Sequence, residues 1–173
     1  MSHIKLPHIN LIQYYQFITF RTYDSIDNYV HKLQESDIDT KLKQYKIDKY
    51  LDTSKNGAYF YGKQIDIMKN ILFEKNNIDY QLETFCIMPN HIHILLKQLT
   101  DLKTIMQHIK GKSSIKLNKI LNKKGKFWLD GYFDKAIRNE RHYTTTYEYI
   151  LNNPIKANLK DSDLRIYTKY SLD

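Results

Sequence analysis

The chain has 173 residues, 42% of them hydrophobic, which suits one domain built around one sizeable core. Five glycines and three prolines are too few for a collagen-like or low-complexity chain, and no apolar run reaches the ~18 residues of a membrane-spanning helix. Lys plus Arg outnumber Asp plus Glu by 27 to 19, a net charge of +8, which suits a polyanionic partner whose phosphates such side chains neutralise.

Met1–Asn10 has no apolar core of the secretion-signal kind. The single cysteine, Cys86, excludes an internal disulfide and a zinc site built of thiolates alone. These features predict a soluble, intracellular protein with a basic surface. Gln13–Arg21 (QYYQFITFR) is rich in aromatic and β-branched residues and reads as a strand. Asp24–Ser54 is polar, with weak helical patterning around Val30 and Leu33 and again around Leu42 and Tyr45. Asn56-Gly57 marks a turn. Ile65, Met68, Ile71 and Leu72 recur at helical spacing, so Lys63–Lys75 is expected to be a helix.

Gln81–Met88 (QLETFCIM) reads as a second strand and His91–Lys97 (HIHILLK) as a third, paired as a hairpin across Pro89-Asn90. Leu102, Ile105, Met106, Ile109, Leu117, Ile120 and Leu121 mark a long helix, with an interruption expected at Gly111. Asn122–Gly125 is a loop, and a fourth strand is expected after Gly131. Thr145 and Glu148 form a capping box, which predicts a short helix from Thr146 to the neighbourhood of Pro154. The order strand, helix, hairpin, helix, strand, helix predicts an α+β fold with an antiparallel sheet covered by helices on one face.

Charge is concentrated in one segment. Leu102–Phe127 carries Lys103, Lys110, Lys112, Lys116, Lys119, Lys123, Lys124 and Lys126 without one carboxylate. A phosphate-binding surface would read this way, and so would a solvated helix face. Arg138 and Arg141 are further candidates to grip phosphates.

Two spacings carry chemistry. His91 and His93 are two apart on a predicted strand, so both imidazoles point to one face while Ile92 and Ile94 point to the other. Such a pair can ligate a metal ion; a solvated strand face carries the same pattern. Tyr149 and Asn153 are four apart on a predicted helix and share a face. Tyr149 offers a phenol and Asn153 a carbonyl oxygen, although the following Pro154 disfavours helical backbone at Asn153. A divalent cation on two imidazoles and an amide would leave positions for phosphate oxygens, and Tyr149 would be the nucleophile. Hard oxygen-rich substrates favour Mg²⁺ or Mn²⁺, and two imidazoles tilt the choice toward Mn²⁺.

The string CIMPNHIHILLK from Cys86 to Lys97 resembles the histidine–hydrophobic–histidine block of the HUH-type single-tyrosine transposases, in particular their REP-associated, IS200-like branch. A second block, Phe127–Leu159, with Ile137-Arg138-Asn139 and Tyr-Ile-x-x-Asn-Pro at Tyr149–Pro154, is similar to that branch's C-terminal signature. Tyr15–Thr22 resembles its first strand. The resemblance covers most of the chain except roughly residues 26–54, which look like an insertion in a single catalytic domain spanning residues 1–173.

The resemblance implies a ferredoxin-like or RRM-like antiparallel β-sheet covered by α-helices. It implies His91, His93 and Asn153 as metal ligands and Tyr149 as the catalytic tyrosine. The implied reaction is cleavage of single-stranded DNA, at DNA hairpins, through a 5′-phosphotyrosine, with rejoining by the reverse step. The implied setting is a prokaryotic cytoplasm, nucleoid-associated and away from membranes, with a homodimer open. Lys103, Lys110, Lys112, Lys116, Arg138 and Arg141 are the expected DNA contacts. Two other readings stay open. One is a non-catalytic single-stranded nucleic-acid-binding module on the same fold. The other is a metal-dependent nuclease that uses water as nucleophile.

Overall fold

The computed structural model describes residues 12–170; Met1–Asn10, read above for a secretion signal, lies outside them. In chain order the elements are β1 (Tyr15–Arg21), α1 (Asn28–Glu35), α2 (Thr40–Leu51), α3 (Lys63–Glu74), β2 (Tyr80–Ile87), β3 (His91–Gln98), α4 (Leu102–Leu121), β4 (Phe133–Ala136), α5 (Glu140–Lys156), α6 (Ser162–Arg165) and β5 (Ile166–Thr168). Among the described residues the strands form one sheet in the order β4-β1-β3-β2-β5. Every pairing is antiparallel. This is the α+β architecture expected. No described helix is long and apolar enough to cross a membrane.

The strand alternation divides the core in two. Ile18, Phe20, Ile92, Ile94 and Leu96 face α3 and α4 and bury against Met68, Leu72, Ile105 and Ile109. Cys86, Met88 and Leu95 face the other way and bury against Tyr147, Ile150 and Leu151 of α5. Helices therefore cover both faces of the sheet, not one. The reason is local: β2 and β3 carry apolar residues at both parities, and such strands need cover on both sides.

Three further expectations change. Gly111 does not interrupt α4, which runs unbroken; a glycine in a helix costs about 1 kcal/mol relative to alanine, and the buried stripe from Leu102 to Leu117 outweighs that. The α5 helix begins at Glu140, not Thr146. Its N-cap is Asn139, whose side chain accepts from the His142 amide at 2.8 Å. Thr145 lies inside the helix, because Tyr143 before it and Tyr147 after it both pack on the sheet and packing overrides a weak local cap. The helix also continues through Pro154 to Lys156. Finally, β5 was not foreseen. It is held on β2 by Arg165, a fully buried side chain that pairs with Asp161 (2.6 and 2.9 Å) and donates to the Ile87 carbonyl (3.0 Å).

The polar stretch between β1 and α3 forms an antiparallel helix pair. Asp27 caps α1 by accepting from the Tyr29 and Val30 amides, and Asp39 caps α2 by accepting from those of Lys41 and Leu42. Its small core is Val30, Ile47 and Leu51. One face of α2 thereby lies over the His91 end of β3.

Candidate active site

The sheet register builds the site. Cys86 pairs with His93, His93 with Thr19, and Thr19 with Phe133. Directly opposed residues share a face, so this row and the neighbouring row Leu95–Phe17–Lys135 lie on the α5 side. His91 and His93 stand there as the two-residue spacing predicts, with ring centroids 4.8 Å apart. They are not on a solvated face: both are 0% exposed.

Each imidazole is held through Nδ1. His91 Nδ1 lies 2.7 Å from Asn90 Oδ1. The Asn90 amide nitrogen donates to the carbonyls of Leu51, Ser54 and Asn56, so its oxygen must accept from the ring. His91 thus carries its proton on Nδ1 and a lone pair on Nε2. His93 Nδ1 lies 2.8 Å from Thr19 Oγ1. Among the described residues neither Nε2 has a hydrogen-bond partner. Burial drives the His93 pKa down to about 3. It pushes His91 well below the ordinary histidine value, helped by His93 and Arg21. Both rings are therefore neutral, the form that binds metal.

Helix α2 supplies what the spacing argument lacked. Asp48, 3% exposed, brings its carboxylate within 4.8 Å of the ligand atoms of both histidines. Burial raises its pKa to about 7, against the opposing pull of Arg21. One turn on, Asp52 Oδ1 lies 3.5 Å from His91 Nε2 and has no hydrogen-bond partner among the described residues; burial lifts it also to about 7. A buried and a partly buried carboxylate held near protonation beside two orphaned ring nitrogens are what a divalent cation would satisfy. The donor set fits such an ion.

The phenol arrives from α5. The Tyr149 ring lies 5.5 Å from His93 and 6.0 Å from Phe17, edge-on to both. Its hydroxyl donates to Asp48 Oδ2 at 3.3 Å. Burial raises the phenol pKa, Asp48 raises it further, and Asn153 opposes the rise. Asn153 is buried, and its Nδ2 donates to the Tyr149 carbonyl at 3.0 Å. Tyr143 and Tyr147 are packed elsewhere, Tyr143 donating to Glu83 at 2.6 Å. A groove of about 280 Å³ between α2 and the β4–α5 region ends at Tyr149 and Asp48.

The other expected DNA contacts fall in two places. Lys103, Lys110, Lys112 and Lys116 are on α4, which packs on the face away from the histidines. Lys110 is engaged within the chain, donating to the Leu129 and Gly131 carbonyls at 2.7 and 2.6 Å, and Lys112 is paired with Glu74. Arg138 and Arg141 are exposed at the start of α5, on the histidine side. Asp48, Asp52, Lys41 and Lys135 were not anticipated. The available signal was the four-residue spacing of Asp48 and Asp52, which puts both carboxylates on one helix face.

The model of the IS200-like transposase family matches residues 51–153, a segment that holds both histidines, Tyr149 and Asn153. Asp48 lies just before it. Among curated proteins none matches the chain. Solved structures are also similar, among them these two. One is a REP-associated tyrosine transposase bound to a REP hairpin, 16% identical over 90% of this chain and 74% of that one, with a TM-score of 0.52. The other is a candidate transposase from Deinococcus radiodurans R1, 14% identical over 88% of this chain and 98% of that one, with a TM-score of 0.47. The first of these likenesses is one of fold, and it agrees with the five-stranded antiparallel sheet. With the family match covering more than half of its length, the chain belongs to the IS200-like transposases.

Proposed function

We propose that this protein is a metal-dependent strand transferase that cleaves and rejoins single-stranded DNA through Tyr149, at DNA hairpins. One observation carries the reading: the Tyr149 hydroxyl, the Asp48 carboxylate and two partnerless Nε2 atoms meet in one buried cluster at the end of a groove. A binding module has no need of that cluster, and orphaned buried polar atoms are costly to keep. The hairpin preference is supported by the relative solved with a REP hairpin.

His91, His93 and Asp48 would hold the cation, with the Asn153 carbonyl oxygen as a further ligand from α5. Mixed nitrogen and oxygen donors suit Mn²⁺ or Mg²⁺. When bound, the ion supplies Lewis-acid polarisation of a phosphodiester and positive charge beside the phenol. The chain's own residues do the rest. Asn90 and Thr19 fix the ring orientations. Asp48 Oδ2 already accepts the phenol's hydrogen bond and takes its proton as Tyr149 attacks phosphorus. A tyrosine–phosphorus ester forms as the bond to the 3′ oxygen breaks. That oxygen leaves as a 3′-hydroxyl, taking a proton from water, and the other strand end keeps a 5′-phosphotyrosine. One ester replaces another, so the reverse step rejoins strands without an outside energy source. Tyr149 serves the histidines of its own chain, which supports action in cis. Residues 26–54 act as an insertion within one catalytic domain and wall the site. The setting we propose is the prokaryotic cytoplasm that the family resemblance implies.

The test uses labelled hairpin oligonucleotides with single-stranded flanks, Mn²⁺ and denaturing protein gels. The expected result is a labelled adduct that is lost with chelator, with Tyr149→Phe and with His91→Ala. Cleavage without an adduct that survives Tyr149→Phe would replace this reading with a water-using nuclease. Binding without cleavage on hairpins taken from the DNA flanking its own gene would leave a binding module.

A further inference from the structure

The groove that ends at Tyr149 has a cationic mouth assembled from three elements. Lys41 comes from the first turn of α2, Lys135 from β4, and His142 from the first turn of α5; all three line the groove. Arg138 stands beside them, and its backbone N–H donates to His142 Nδ1 at 3.2 Å. That bond leaves the His142 Nε2 as the ring's donor. Lys41 and Lys135 come close enough to interact directly, and Lys135 is held below the ordinary lysine value by burial, then by Lys41 and Arg138. His142 is lowered by burial and by the same three cations. Among the described residues no carboxylate pairs with Lys41, Lys135 or Arg138. Asp134, the nearest in sequence, points to the opposite sheet face, where its charge acts on Tyr132.

Like charges this close repel one another even at a protein surface. Lys135, Arg138 and His142 follow one another across the β4–α5 junction, and Lys41 joins them from α2, far away in sequence, so the crowding is a product of the fold and not of one helix. A phosphate diester relieves it. The mouth lies about 10 Å along α2 from Asp48, counting the rise per residue, a short reach on an extended strand. Tyr45 and Phe133 line the same groove and offer ring faces and edges to unpaired bases.

We propose that Lys41, Lys135, Arg138 and His142 form a seat for a backbone phosphate of the single strand that flanks the scissile position. The inference rests on the reading that single-stranded DNA reaches Tyr149. It assigns the seat to the α2 wall of the groove and not to the lysines of α4.

The experiment measures binding of a fluorescent single-stranded oligonucleotide by anisotropy across a salt series. The protein carries Tyr149→Phe and the buffer contains chelator, so neither chemistry nor metal enters. Lys41→Gln, Lys135→Gln and Arg138→Gln should each weaken binding several-fold at low salt. Each should reduce the slope of log K against log salt by about 0.7, the value for one phosphate contact on single strands. Lys63→Gln, on α3 behind the sheet, should change neither. Unchanged slopes in Lys135→Gln and Arg138→Gln, in proteins whose circular dichroism and melting match the parent, would overturn the seat. The same is true if Lys63→Gln changes the slope equally. A parallel adduct assay places the same substitutions in protein that keeps Tyr149, with Mn²⁺. Normal adduct formation there alongside unchanged slopes would sink the seat and leave strand transfer standing. Reduced slopes with no adduct even from the protein that keeps Tyr149 would sink strand transfer and keep the seat.

Discussion

Asp48→Asn should have opposite effects with and without metal. In the metal-free protein the carboxylate is buried and its pKa stands at about 7 instead of 3.8. Such a displacement corresponds to about 4 kcal/mol against the charged form. The folded pKa is raised above the unfolded one. Stability is therefore fully present below pH about 4 and is lost as pH rises through about 7. Asparagine removes that loss and keeps the geometry: its oxygen can still accept from Gln44 (2.8 Å in the parent), and its nitrogen can donate to the Tyr149 hydroxyl. In chelator at pH 8 the variant should melt several degrees above the parent, since about 1 kcal/mol moves a domain of this size by roughly 2–4 °C. At pH 4 the two should coincide. With Mn²⁺ at a hundredfold above its dissociation constant, the parent should gain about 2.7 kcal/mol, and the variant should lose most of that gain. Differential scanning calorimetry at the two pH values, with and without Mn²⁺, reads all four cases. A full Mn²⁺-induced rise in the variant, or a lower melting point in chelator at pH 8, would refute the reasoning.

Asn90→Ala removes the acceptor that orients His91 and the donor to three carbonyls. Mn²⁺ affinity by titration calorimetry should fall about 10–100-fold, with a stability loss of about 1–3 kcal/mol. Asn139→Ala should cost about 1 kcal/mol in urea unfolding while Thr145→Ala costs a few tenths, because only Asn139 caps α5; equal costs would return the helix start to Thr145. Arg165→Met breaks a buried pair and should cost about 2–3 kcal/mol, less than a fully buried pair because Asp161 is 32% exposed. Hydrogen exchange should then show β5 opening first.

Much of the site was legible because its two motifs each lie within one element. A strand alternates every two residues, which puts His91 and His93 on one face whatever the rest of the chain does. A helix repeats every 3.6, which groups Tyr149 with Asn153 in the same way. The hairpin across Pro89-Asn90, the helix after Lys63 and the strand after Gly131 were readable for similar reasons. Other features depend on competition between equal local signals. Asn139 and Thr145 both look like helix caps, and only the packing of Tyr143 against Tyr15, with rings 5.1 Å apart, shows which one begins α5.

The remaining parts belong to tertiary structure. Helix α2 buries only Ile47, Asp48 and Leu51, a stripe too narrow to announce itself, and one of those three is the carboxylate at the metal cluster. Its distance from His91 along the chain hides the partnership that the fold creates. The same holds for Lys41, which lies far along the chain from Lys135 and Arg138 and converges with them only in space. The run of lysines on α4 was the conspicuous charge, yet that helix faces away from the histidines because Leu102, Ile105 and Ile109 bury its other side against the far face of the sheet. Residue type and period determined which groups could do chemistry and which face each would take; packing between distant elements decided which of them meet.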